Sequence, residues 1–149
     1  MGHLTCLLAN LCQFVVGIDI VKELVMKSQE IVAKNYQNLQ LCFVKSDGHN
    51  GCEIYSPYDL ILIEPIIRNG SVPEKLFRQL KPNGSIIAIV RLTEEYQQQL
   101  QLQQQQQLNR FQLIRFFRMI DGQIKLEILC NDHDWLVQNH KDCFANKFS

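Results

Sequence analysis

The sequence predicts an α/β fold, a three-layer sandwich with a mainly parallel sheet between helices and an antiparallel hairpin at its C-terminal end. Three observations predict it. Over the first 91 residues, short apolar runs alternate with apolar residues at helical spacing, the order of parallel strands joined by crossover helices. One of those runs, residues 58–64 (YDLILIE), is almost continuously apolar, as a strand buried on both faces must be. Two later runs, residues 111–117 and 124–129, are joined through Asp121-Gly122, the composition of a hairpin turn.

Each element follows from local pattern. Leu4, Leu7, Leu8 and Leu11 form one apolar helix face. Residues 14–19 are a short apolar strand. Val21, Leu24, Val25, Ser28, Ile31 and Val32 recur at i, i+3, i+4 steps, so a helix runs to about residue 34. Residues 39–45 are the next strand, closed by Ser46-Asp47-Gly48, and residues 49–57 read as a loop. The strand at 58–64 is stopped by Pro65. Ser71 suits an N-cap, with Pro73 and Glu74 in the first turn of a helix over residues 74–80. Residues 81–84 (KPNG) are a turn, and residues 85–91 (SIIAIVR) a further buried strand.

The chain of 149 residues is long enough for one real core. We expect a domain over residues 1–130, with a glutamine-rich insertion at 96–108, and a polar tail at 131–149. Fifteen basic and fifteen acidic residues cancel, which leaves no global footprint for nucleic acid or an anionic membrane. The apolar stretch at 4–21 is broken by Asn10, Gln13 and Asp19. It lacks the basic start and cleavage site of an export signal and is too interrupted to span a membrane. Of the six cysteines, Cys6 lies on a helix pattern, Cys42 inside a strand pattern and Cys12 beside one, which argues against a disulfide framework. They read as reduced thiols, which points to the cytoplasm.

Candidate chemistry concentrates at two strand ends. A carboxylate at the end of a strand that turns straight into a helix, as Asp19 does, is where adenosine-binding α/β folds hold the ribose hydroxyls. The same position also suits an ordinary turn residue. Asp47 reads either as a group at a ligand's edge or as an Asp-Gly loop residue. The glycine-rich loop that such folds place after a preceding strand is represented here by Gly2 alone. Cys130, His133, His140 and Cys143 have zinc-type donors, but their short spacer carries Trp135, Leu136 and Val137, and a chance spacing in a polar tail explains them better. No metal is expected. Residues 109–118 interleave basic and aromatic side chains, which could stack bases; two-fold alternation along a hairpin strand is the simpler account. No nucleophile–histidine arrangement stands out, and no catalytic residue is assigned.

In order along the chain, these motifs resemble one family. The stretch VGIDIVKELV (residues 16–25), followed by Ser28, closely resembles the second-strand region of protein-L-isoaspartate O-methyltransferases. GHLTC (2–6) resembles the end of that family's glycine-rich motif and the start of its helix. SDGH (46–49) resembles its adenine-flanking step, PYDLI (57–61) its fourth strand, and QLKPNGS (79–85) its turn into the fifth. The resemblance covers residues 2–91. It implies a Rossmann-like methyltransferase fold, S-adenosylmethionine as methyl donor, and isoaspartyl carboxyl groups of damaged proteins as acceptors. It places Asp19 on the ribose, Ile20 beside the adenine, and Asp47, Gly48 and His49 at the adenine edge, with Gly2 the remnant of the phosphate-type loop.

The sequence also departs from that pattern. The family's first strand and most of its glycine-rich loop are not found in residues 1–149, so we expect an N-terminally truncated form. Where the family has small residues after its fourth strand, this chain has Glu64-Pro65-Ile66-Ile67-Arg68. Because the absent strand is central, we expect the strands at 14–19 and 58–64 to pair directly, or a protein partner to complete the sheet. The alternative to the enzyme is a non-catalytic structural or interaction subunit that retains a degenerate methyltransferase fold.

Overall fold

The computed structural model describes residues 2–68, 71–91 and 111–131. The glutamine tract, His133, His140, Cys143 and the rest of the tail beyond Asn131 lie outside the described residues. The chain divides into two compact units, Met1–Pro57 and Tyr58–Ser149.

The first unit contains α1 (His3–Ala9), β1 (Val15–Asp19), α2 (Lys22–Asn35), β2 (Leu41–Lys45) and a 3-10 turn (Glu53–Tyr55). β1 and β2 pair in parallel, in unbroken register from Val15↔Leu41 to Asp19↔Lys45. α2 spans the predicted helix almost residue for residue. It buries Val25 and Ser28, and carries Glu23 in its first turn and Lys34 in its last, the placement that complements the helix dipole. α1 buries Cys6 and Ala9.

The helix and strand pack so closely because Gly17, in mid-strand, has no side chain. A Cβ there would stand 2.7 Å from the Phe43 ring and 2.9 Å from the Thr5 hydroxyl. Gly2 meets the same ring. Its φ is +68°, and a Cβ would lie 2.6 Å from Phe43 Cζ and 3.3 Å from Ser28 Cβ. The conformation and the space both select glycine.

The second unit contains β3 (Tyr58–Ile67), α3 (Glu74–Arg78), β4 (Leu80–Arg91), β5 (Phe111–Arg118) and β6 (Ile124–Asn131), in a four-stranded sheet of order β3-β4-β5-β6. β3 and β4 are parallel, while β5 and β6 continue antiparallel. Alternation in β4 places Ile86, Ala88 and Val90 on one face, each at most 1% exposed. Val72, Leu76 and Leu80 complete that core with Ile61, Ile63, Ile67 and Phe77. Phe77 meets Phe116 edge to face, with centroids 6.0 Å apart.

The β5–β6 hairpin forms as predicted. Gly122 N donates to Met119 O and Met119 N to Gln123 O, and Gly122 takes φ +85°. This is the three-residue loop closed by a left-handed glycine. Arg118 Nη1 donates to Leu80 O, and Arg115 Nε donates to Ser85 Oγ while its guanidinium lies 5.5 Å from the Phe117 ring centroid.

Four local expectations are corrected. Pro65 does not end β3. The strand runs on to Ile67, and the ladder skips the positions where proline has no N–H to give, jumping from Ile63↔Ala88 to Ile67↔Val90. The KPNG turn is not outside the strand but a bulge within β4, between rungs Tyr58↔Leu80 and Leu60↔Ser85. Asn83 takes φ +65° there. A Cβ on Gly84 would meet the carbonyl oxygens of Lys81 and Tyr58 at 2.9 Å. α3 is preceded by Pro73 at the N-cap, not Ser71, and no side chain caps it. It also ends at Arg78, because Leu80 is taken by β4.

One expectation about topology is corrected as well. The strand at 14–19 does not pair with the strand at 58–64. β1 forms its ladder with β2 and β3 with β4, giving two sheets in place of one. Among the described residues, β1 and β3 each have one ladder partner.

Candidate functional site

Five of the six residues singled out in the sequence come together at one end of the β1–β2 pair. Parallel strands in register bring their carboxyl ends to the same side, which is where α/β sheets bind ligands. Asp19 is the last residue of β1 and is opposite Lys45, the last of β2. One step further, Ser46 N donates to Asp19 O at 3.1 Å. The two loops therefore start side by side, one with Asp19 and Ile20, the other with Asp47, Gly48 and His49.

Asp19 is half-buried. Its Oδ1 accepts the Val21 N–H at 2.9 Å, a turn that redirects the chain into α2. Asp19 thus acts as the turn residue that one of its two sequence readings describes. It makes the turn with one oxygen, and its second oxygen has no partner among the described residues. Ile20 follows with 62% of its surface exposed, an apolar side chain held in the open beside a carboxylate.

The second loop is compact. Ser46 Oγ donates to Gly51 O, Asn50 N to Asp47 O, and Gly51 N to Gly48 O. Asp47 Oδ1 accepts the His49 backbone N–H at 2.9 Å and stands 3.3 Å from His49 Nδ1. Protonation of His49 would turn that contact into an ion pair, though at exposed side chains it contributes little. A Cβ on Gly48 would meet nothing within 4 Å, so this position faces open space.

The far end of the loop is pinned by the 3-10 turn. The Tyr55 hydroxyl hydrogen-bonds the Cys42 sulfur in β2, and the Tyr55 ring packs against Phe14 with centroids 5.6 Å apart. Burial pushes the Cys42 thiol above the usual cysteine range. The Tyr55 hydrogen bond opposes that shift, and nearby Cys52 adds to it. Tyr55 is itself raised, first by its bond to Cys42.

Gly2 behaves differently. It begins α1, with its carbonyl accepting Cys6 N at 3.0 Å, and its closest neighbours are Phe43 and Ser28. The structure accounts for it as a packing position. Two contributors were missed in the sequence. Ser46 joins the two loops through its amide, and Gly17 sets how closely α1 approaches β1. Neither has a signal of its own, because a backbone amide and a tight contact depend on a tertiary neighbour. Among the described residues, no group of three or more His, Cys, Asp or Glu side chains could hold a metal ion, and no helix is long and apolar enough to cross a membrane.

The residues present fit part of an adenosine ligand. A carboxylate oxygen without a protein partner suits vicinal hydroxyls. An exposed aliphatic side chain suits the face of a base, and an Asp-Gly-His loop offers polar groups beside it.

Comparison with known proteins bears on the family. Residues 1–121 match the family model for protein-L-isoaspartate(D-aspartate) O-methyltransferase (PCMT). The chain is 34% identical to a protein-L-isoaspartate O-methyltransferase of Myxococcus xanthus over 103 residues, covering 68% of this chain and 47% of that one. It is 33% identical to that of Opitutus terrae over 87 residues, 58% of this chain and 36% of the other. It thus spans about half the length, or less, of these curated relatives. Among solved structures, it resembles a protein-L-isoaspartate O-methyltransferase with TM-score 0.52 and 25% identity, over 76% of this chain and 32% of that one. A second, from Plasmodium falciparum and in complex with S-adenosyl-L-homocysteine, gives TM-score 0.51 at 17% identity, over 82% and 53%; at that identity it speaks for the fold alone, Rossmann-like and mixed α/β. Family model, relatives and fold converge: the chain belongs to the protein-L-isoaspartate(D-aspartate) O-methyltransferase (PCMT) family.

Proposed function

We propose that this chain serves methyl transfer from S-adenosylmethionine to isoaspartyl carboxyl groups of damaged proteins, and that the ends of β1 and β2 hold the adenosine part of the donor. The observation that carries this reading is the Ser46 N to Asp19 O bond. It keeps the carboxylate of Asp19, the exposed Ile20 and the Asp47-Gly48-His49 loop at one sheet end. Asp19 would accept the ribose hydroxyls on its second oxygen, Ile20 would pack on the adenine, and Asp47, Gly48 and His49 would line its edge. Gly2 would begin the helix beside the donor's polar part, a role that adds to its packing.

When bound, S-adenosylmethionine supplies an activated methyl group on a sulfonium. The acceptor carboxylate is its own nucleophile, so the protein's task is to orient it and exclude water. No proton need be removed, and no catalytic side chain is assigned. A cytoplasmic setting accords with the reduced cysteines and with protein substrates.

The test is calorimetric titration of S-adenosylhomocysteine into residues 1–149, with Asp19→Ala as control. Micromolar binding lost in the variant supports the proposal. No binding to folded protein defeats it.

A second reading has one observation of its own. Among the described residues, β1 pairs only with β2, and β3 pairs only with β4. That favours a non-catalytic subunit whose sheet a protein partner completes by strand addition. Absence of ligand binding together with a stable complex recovered at defined stoichiometry would support it.

A further inference from the structure

The carboxyl ends of β3 and β4 carry a second feature. The last rung between these strands pairs Ile67 with Val90; Arg68 follows just past the end of β3, and Arg91 is the last residue of β4. Arg91 in turn is register partner to Phe111 of β5. Pro65, Ile66, Arg68, Arg91 and Phe111 line one cavity of about 500 Å³, within the range of about 300–1,000 Å³ usual for small-ligand sites.

Two like charges lining one cavity repel. Other arginines of this unit are engaged: Arg78 pairs with Glu74, Arg115 with Ser85 and Phe117, and Arg118 with the Leu80 carbonyl. Arg68 and Arg91 have no hydrogen-bond or ion-pair partner among the described residues, and no carboxylate of those residues lines the cavity. The other described residues of the wall are apolar: Pro65, Ile66 and Phe111.

We infer that this cavity binds carboxylate side chains of an acidic polypeptide segment, one carboxylate to each guanidinium. A guanidinium fork matches a carboxylate in two-point geometry, and Ile66 and Phe111 offer apolar surface to the methylenes that carry it. A chain of net charge zero makes a poor general polyanion binder, which sets nucleic acid aside. The site does not suit the methyl acceptor itself. Two arginine bonds would stabilise the acceptor's charge and weaken it as a nucleophile. The cavity instead selects acidic residues flanking the acceptor. As a statement about substrate choice, this rests on the carboxyl-methyltransferase reading.

The test is fluorescence anisotropy of a labelled short peptide with two adjacent glutamates and no isoaspartate, titrated with residues 1–149 without methyl donor. The glutamate peptide is expected to bind at least tenfold tighter than its glutamine counterpart, and the difference to shrink as salt rises. Arg68→Gln and Arg91→Gln should each weaken binding about tenfold, with circular dichroism confirming the fold. Arg68→Lys, which keeps charge but loses the fork, should fall between. Equal affinity for both peptides, or arginine variants that bind as the parent does, overturns the inference. So does displacement of the peptide by equimolar inorganic phosphate, which would mark a site for small anions. Peptide binding that persists when S-adenosylhomocysteine fails to bind would sink the enzyme reading and leave this one standing. Methyl transfer unchanged in Arg68→Gln/Arg91→Gln would do the reverse.

Discussion

The Ser46 amide reaches the Asp19 carbonyl across the ends of β1 and β2 at 3.1 Å. Because this is a backbone bond, it fixes where both loops begin whatever side chain stands at residue 46. Asp19 can therefore be altered without moving the second loop. Asp19→Asn keeps an oxygen for the Val21 N–H and loses the charge. We expect it to unfold within about 0.5 kcal/mol of the parent yet bind S-adenosylhomocysteine at least tenfold more weakly. Urea denaturation and calorimetry on the same samples check this, and equal ligand affinity would remove Asp19 from the site.

Two glycines make opposite forecasts. Alanine at 84 must push against two backbone carbonyls at 2.9 Å, neither of which can rotate away. A cost of roughly 1–3 kcal/mol is expected, as for other overpacked positions. Alanine at 48 meets nothing and should change stability by no more than about 0.5 kcal/mol. Matched urea curves decide both.

Ile86 is fully buried among Val72, Leu76 and Leu80. Ile86→Ala should cost about 2–5 kcal/mol. The loss should appear in amide exchange of β4 and β5. A loss below about 1 kcal/mol would mean that this core is not packed as described.

The raised thiol of Cys42 gives a pH dependence with a definite sign. A raised value means that the folded state holds the proton more tightly than the unfolded chain. The contribution is complete below the ordinary cysteine value of 9.0 and is lost as pH rises through it and beyond. As pH rises from just below 9.0 to well above it, the parent should therefore lose more stability than Cys42→Ala does. Parallel urea midpoints across that window would show it, and superimposable pH curves would contradict it.

Lys81 Nζ approaches Asp59 Oδ2 at 2.8 Å, but both side chains are largely exposed. Such pairs contribute about 0–1 kcal/mol. Lys81→Ala should fall in that range, and its small effect should vanish in molar salt.

What the sequence conveyed follows the range of the forces involved. α2 and β1 were legible to within a residue or two because spacing alone dictates them. Asp19 and Asp47 were legible because a strand end advertises the loop that follows. Pro65 and the KPNG turn were misread, since local turn chemistry stops a chain only where no neighbour holds the strand. Here β4 holds β3 on both sides of Pro65, and β3 bridges the bulge at residues 81–84. The division into two sheets, the Arg68–Arg91 juxtaposition and the role of Ser46 all depend on register between distant segments, which no window of residues contains.

Phe43 lies under Gly2 and Gly17 at once. One ring thus dictates the identity of two residues far from it in sequence, and the three positions should drift together or not at all. Shrinking the ring would free residue 17 to carry a methyl group, so Phe43→Leu should rescue part of the damage done by Gly17→Ala. At residue 2 the left-handed backbone would still exclude the same exchange.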